Sequence, residues 1–147
     1  MKSLKYIIIA VVAALFCSSC LESNMKDLEE YSGAEISSAL AYYRYIDNSV
    51  TFPLSGAHAV KQVTLNVTSK VEGNNVNVTV AAPAGFTGTL SLSNIVIAVN
   101  ISTAAVIAPA AGSPALGVPA DWTSPHKYIV TAADGTTKEW TITVTLA

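Results

Sequence analysis

With 147 residues, eight basic against ten acidic side chains and a formal net charge of −2, the chain has no basic stripe with which to hold nucleic acid. Apolar residues make up 51% and mean hydropathy is +0.45, but an apolar start and abundant alanine raise that value, so the composition is not that of a membrane protein. The two cysteines lie close together in LFCSSCLES (15–23), which excludes a disulfide framework and leaves packing to hold the folded part together.

In chain order, a short basic start (Met1, Lys2, Lys5) leads into the apolar run Tyr6 to Phe16, YIIIAVVAALF. A membrane-spanning helix needs roughly 20 apolar residues, about twice this run, so the segment reads as the core of a secretory signal peptide. The small residues Ser18 and Ser19 then precede Cys20. This arrangement resembles the lipobox of bacterial lipoproteins, although Cys17 stands where those proteins usually carry an aliphatic residue. The resemblance implies that residues 1–19 are removed and that Cys20 becomes the first residue of the mature chain, with a diacylglyceryl group on its thiol. A redox pair would need a strand-helix-strand setting, and nothing around Cys17 and Cys20 supplies one.

Beyond Cys20 the composition turns acidic, with Glu22, Asp27, Glu29, Glu30 and Glu35 against Lys26. Residues 20–35 therefore read as a solvated tether. An acidic patch placed just after the lipidated cysteine also resembles the export signal of Bacteroidetes surface lipoproteins. That resemblance implies a lipid-anchored protein of the outer membrane facing the cell exterior.

Residues 36–147 are of single-core size, and their charges cancel. The dominant period here is two, the period of strands. In KQVTLNVTS (61–69), Val63, Leu65 and Val67 share one face, which predicts a single half-buried strand. The segment Glu72-Gly73-Asn74-Asn75 predicts a turn, and Val76, Val78 and Val80 the returning arm of an antiparallel hairpin. Leu90 and Leu92 lead to a third strand. The apolar run Ile95 to Val99 predicts a strand in a central position or buried on both faces, and Val106 and Ile107 a further short strand. From Ala104 to Ala120 alanine, glycine and proline dominate, which predicts a strand end followed by a long surface loop whose prolines blunt a sheet edge. In HKYIVTAADGTTKEWTITVTL (126–146), Tyr128, Val130 and Ala132 share one face, Asp134-Gly135 forms the turn, and Trp140, Ile142, Val144 and Leu146 share a face on the return. The sum is an all-β fold, a single immunoglobulin-like antiparallel β-sandwich of about seven strands.

Several of these segments recur in a familiar order: Ala105 to Pro109, Gly112, Asp121-Trp122-Thr123-Ser124-Pro125, then Tyr128 through Val144. They resemble the closing half of immunoglobulin-like domains in uncharacterised Bacteroidetes lipoproteins, and Ala34 to Ser38 resembles the first strand of such domains. The resemblance implies a domain type and no particular ligand.

Catalytic and metal-binding patterns are missing from the sequence. His58 and His126 have no His, Cys or paired carboxylate at ligand spacing, and there is no Gly-x-Ser-x-Gly, His-Glu-x-x-His, phosphate loop or Asp-x-Asp calcium loop. No cofactor is expected, and catalysis is not. A binding surface would rest on aromatic rings, which stack on the apolar faces of sugars. Trp140 and Trp122 read as core and as the plug of a sandwich end. Period two places Tyr43 and Tyr45 on one face and Tyr42 with Leu40 on the other, so one set belongs to the core and the other to the surface. An exposed Tyr43–Tyr45 pair, about 7 Å apart, would suit a sugar platform, whereas cross-strand packing is the more common use of such a pair. The expected partners are thus the membrane, through the lipid on Cys20, and either a glycan or another protein of the cell envelope.

Overall fold

The computed structural model describes residues 31–147. The signal peptide, Cys20 and the acidic tether as far as residue 30 lie outside the described residues. What is described is an all-β sandwich of nine strands: β1 (Ile36–Thr51), β2 (His58–Thr64), β3 (Asn66–Glu72), β4 (Asn75–Ala81), β5 (Ile95–Ile101), β6 (Val106–Pro109), β7 (Pro119–Ala120), β8 (His126–Thr131) and β9 (Thr137–Leu146). One sheet has the order β2-β1-β5-β7 and the other β3-β4-β9-β8-β6.

The core lies between the two sheets, where alternation along each strand places it. Ala39, Ala41, Ile95 and Ile97 from the four-stranded sheet meet Val76, Val78, Val80, Tyr128, Val130, Trp140, Ile142 and Val144 from the other. A bulge between Ile36 and Ser38 lets both Ile36 and Ala39 point inward although their spacing is odd. Ile95, Val96 and Ile97 are all buried, because β5 has neighbours on both sides and Val96 on its outer face is flanked by its register partners Tyr42 and Pro119.

Turn chemistry closes the hairpins. Between β3 and β4, Gly73 takes a positive φ of 59° at the first central position of a two-residue turn, the pattern that matches strand twist. Between β8 and β9, Gly135 (φ 84°) donates its N–H to the Ala132 carbonyl at 3.0 Å, and Asp134 Oδ1 accepts from the Thr136 N–H at 2.8 Å.

Two expectations are corrected. KQVTLNVTS is not one strand: the chain leaves the first sheet after Thr64 and enters the second at Asn66, with Leu65 buried at the crossing and its N–H bonded to the Ala41 carbonyl at 3.0 Å. The alternation runs on unbroken because Val63, Leu65 and Val67 all face the same core from either sheet. The pairing is also not wholly antiparallel, since β4 runs parallel to β9 from Asn75↔Thr141 to Val80↔Leu146. Leu90 and Leu92 lead into β5 as expected: Leu92–Asn94 is one turn of 3-10 helix capped by the Ser91 side chain, which accepts from the Ser93 N–H and turns the chain into the strand. The proline-rich stretch behaves as expected: Pro119 sits on the edge strand β7, where a missing N–H removes no bond from a sheet interior.

Candidate functional site

Strand β1 is longer than its neighbours, and that mismatch makes the site. Its pairing with β5 stops at Tyr43↔Ile95, whereas its pairing with β2 continues through Tyr45↔Lys61 and Ile46↔Val60 to Asp47↔Ala59. From Arg44 onward one edge of β1 therefore has no β5 neighbour. A groove of about 420 Å³ opens there, lined by Tyr43, Arg44, Tyr45 and Ile46 of β1, Val60 of β2, Asn94 and Pro119. Because a free strand edge exposes both faces of the strand, residues of both parities line one groove. Asn94, just before β5 starts, takes up the ladder there, its Nδ2 donating to the Arg44 carbonyl at 3.2 Å.

Tyr43 and Tyr45 come together, on the core-facing side of β1. Both are half-buried. Their rings stack on each other with centroids 6.4 Å apart and planes 15° from parallel, and Phe86 caps both edge-on at 5.8 Å. Tyr43 packs against the core and its hydroxyl donates to the Thr89 carbonyl at 3.3 Å. The pair is therefore part of a packed aromatic cluster rather than a flat, open shelf. Phe86, which the sequence reading missed, comes from the loop between β4 and β5. Gly88 folds under its ring, where a Cβ would stand 2.7 Å from Cζ. Tyr42 faces the outer side of the sheet opposite Val96.

The remaining singled-out aromatics are structural. Trp122 and Trp140 are both 0% exposed. Trp122 Nε1 donates to the Ile95 carbonyl at 3.1 Å, its N–H to the Leu92 carbonyl at 2.8 Å, and its ring stacks on Tyr128 with centroids 6.3 Å apart, so it plugs the groove end of the sandwich. Trp140 Nε1 donates to the Ala34 carbonyl at 2.9 Å and secures the other end, beside the incoming chain. Burial pushes the Tyr128 phenol up to about 12.

Electrostatically, the carboxylates are already in use. Asp47 is ion-paired with Lys61 and accepts from the Ser49 hydroxyl and N–H, which together hold its carboxyl well below the usual range. Asp121 accepts from the Thr123 N–H at 2.9 Å, and that bond lowers it too. Lys70 pairs with Glu72, Lys127 with Glu139 and Lys138 with Glu35. Arg44 alone among the described lysines and arginines has no described carboxylate within 4.0 Å. Its Nε donates to Gln62 Oε1 at 2.9 Å. His126 Nε2 lies 2.8 Å from the Asp121 carbonyl and His58 Nδ1 3.2 Å from Thr51 Oγ1. Among the described residues no three His, Cys, Asp or Glu side chains stand together as a metal site would require, and no helix is long and apolar enough to cross a membrane.

Two solved structures resemble this fold. A protein of Bacteroides fragilis NCTC 9343, provisionally named as secreted, is 40% identical with a TM-score of 0.65, the match covering 78% of this chain and 96% of that one. A protein of Bacteroides thetaiotaomicron VPI-5482, provisionally named as a glycoside hydrolase, is 24% identical with a TM-score of 0.43 over 71% of this chain and 25% of that one. The second likeness is too slight to bear on activity. No curated protein matches the chain. A family profile described as DUF5018-related matches residues 36–143, nearly the whole sandwich, and the chain accordingly belongs to the DUF5018-related family.

Proposed function

We propose that the protein is a non-catalytic, cell-surface lipoprotein, anchored through Cys20 and facing the exterior, whose sandwich captures a saccharide in the groove beside Tyr43 and Tyr45. The groove carries this reading. Its volume falls within the range of small-ligand sites, and its lining includes two tyrosines, an arginine and an asparagine, residue types that hold a sugar by its apolar face and its hydroxyls. Position supports it as well. The chain enters the sandwich at Ala34 to Ile36, and Tyr45 lies nine residues further along β1, about 30 Å away at 3.3 Å per residue. A tether running back to Cys20 would hold the groove away from the membrane.

Affinity electrophoresis of Tyr31–Ala147, which contains both sheets and the core cluster, through gels loaded with host and dietary polysaccharides tests the proposal. Retardation by at least one polysaccharide is expected. It should weaken about tenfold in Tyr45→Ala, whose ring is less embedded than that of Tyr43, and vanish in the Tyr43→Ala/Tyr45→Ala variant. A folded domain that every gel leaves unretarded would refute it.

A second reading, a module that contacts another envelope protein, rests on a separate feature. The hairpin joining β1 to β2 reaches past the sandwich and exposes Ile46, Val50, Phe52, Leu54 and Val60. Clustered exposed apolar residues of this kind mark interaction surfaces. Cross-linking on intact cells separates the two readings: an envelope protein captured by the native chain and lost in Phe52→Ser/Leu54→Ser would favour contact over capture.

A further inference from the structure

The arm that β1 and β2 form beyond the sandwich has a free edge. Asn94, which precedes β5, bonds to the Arg44 carbonyl, whereas Leu65, which follows β2, bonds to the Ala41 carbonyl. Backbone groups of successive residues point to opposite sides of a strand, so even-numbered residues of β1 address β5 here and odd-numbered ones address β2. Pairing with β5 stops at Tyr43, and the N–H and C=O of Ile46 and, next along, Asn48 therefore face no described strand. Apolar surface marks both ends of this edge. At its root lies the groove, whose lining includes Ile46, Val60 and Pro119. At its end Phe52 and Leu54 project from a tight turn, in which the Phe52 N–H bonds to the Ala57 carbonyl at 2.8 Å and the Gly56 N–H to the Phe52 carbonyl at 2.9 Å. From Asn48 to His58 the sequence holds no Lys, Arg, Asp or Glu.

We infer that this arm is a self-association device whose partner is a second copy of the chain, laid antiparallel across a two-fold axis. The inference goes beyond saccharide capture; it rests on the contact reading for the exposed hairpin and names the partner. A groove at the root and an apolar tip at the end of one edge are self-complementary, because two antiparallel arms bring each tip to the other's groove. A two-fold between antiparallel strands sets one residue against itself, and charge and strand length select which. Centred on Arg44 or Asp47, it would oppose like charges. Centred on Tyr45 or Ile46, it would run the second copy's strand opposite Tyr43 and Arg44, places held by Ile95 and Asn94. Asn48 is the midpoint of the free length from Tyr45 to the end of β1 at Thr51. Centred there, strand meets strand over that whole length, no like charges are opposed, and the turn of the second copy begins at Phe52, opposite Arg44, where the groove opens. The tip then fills the groove, so the dimer and the saccharide-bound chain exclude each other.

Sedimentation velocity of Tyr31–Ala147, which holds both sheets and the core cluster, tests the inference over concentrations of about 1 to about 500 μM. A dimer whose share rises with concentration is expected. Phe52→Ser/Leu54→Ser should weaken it at least about tenfold, because two apolar side chains per copy return to water. Ile46→Pro should weaken it too, since it removes an N–H that no described strand accepts. Residues 31–147 contain no cysteine, so single-cysteine variants report position. Asn48→Cys should yield a disulfide-linked dimer under mild oxidation, paired residues of such strands standing about 5.5 Å apart at Cα. Val106→Cys, exposed on the edge strand β6 of the other sheet, should not. Thermal unfolding of each variant confirms that it is folded. A monomer at every concentration, with no more cross-linking at position 48 than at 106, would overturn the inference, and capture of an envelope protein through Phe52 and Leu54 on intact cells would then leave the contact reading standing. A dimer indifferent to both the tip and the edge substitutions would overturn it equally, by placing association elsewhere. Association beyond the dimer would overturn the two-fold.

Discussion

The phenol of Tyr128 offers a quantitative check on the packing at the groove end. It is 0% exposed, its hydroxyl donates to the Pro114 carbonyl at 2.9 Å, and burial raises its pKa from 10.0 to about 12. The folded state therefore favours the neutral phenol. Stability from this preference is complete below the unfolded pKa and is lost as pH rises through 10 toward 12. For that pair of values the loss is negligible at about pH 8, about 1.4 kcal/mol at about pH 11 and about 2.7 kcal/mol once both states have ionised. Tyr128→Phe removes the hydroxyl and its hydrogen bond, so the variant should start about 1 kcal/mol less stable at neutral pH. It should also be blind to this titration. The two stability curves are then expected to converge and cross between about pH 10.5 and pH 11. Urea unfolding followed by tryptophan fluorescence, which both buried indoles report, measures the difference at each pH. Lysine deprotonation weakens the surface ion pairs over the same range, but equally in both proteins, so it cancels. Parallel curves across this range would refute the argument that the Tyr128 phenol is buried and neutral.

Other outcomes follow from single contacts. Trp122→Phe should cost about 2–4 kcal/mol in urea unfolding, since it leaves the Ile95 carbonyl without its indole partner and opens space beneath the groove. Gly135→Ala should cost about 1 kcal/mol or more, because φ at 84° suits glycine and strains any residue with a Cβ, and a thermal melt would register the loss. Cys20→Ala should move the protein from the membrane to the soluble fraction on cell fractionation, because the acyl chains of a lipoprotein hold where one chain would not. Continued membrane retention would remove the anchor from the proposal.

The groove arises from a mismatch in strand length. Its walls come from β1, β2, the turn before β5 and β7, and they meet only because β5 begins at Ile95 while β1 runs on past Tyr43. Trp122 secures this end of the sandwich by bonding to both Leu92 and Ile95, on either side of the point where β5 starts.

What the sequence determined by itself is local. Alternation of Val76, Val78 and Val80, and of Trp140, Ile142 and Val144, marks strands and their buried faces because a strand's side chains alternate whatever it pairs with. The glycines at 73 and 135 mark turns because few other residues accept their positive φ. Tertiary structure decided everything that depends on partners far apart in the chain. Leu65 marks a change of sheet that alternation cannot reveal, since the same face stays inward on both sides of the crossing. Leu90 and Leu92 lead into β5 through a turn that the alternation does not show, one capped by Ser91 and fastened by the Trp122 N–H on the Leu92 carbonyl. The parallel pairing of β4 with β9 joins segments whose alternation is compatible with either direction. The site is tertiary for the same reason: Tyr43 and Tyr45 were legible as neighbours on one face, but the Phe86 cap, the Asn94 wall and the pairing of Arg44 with Gln62 arise only when distant segments pack.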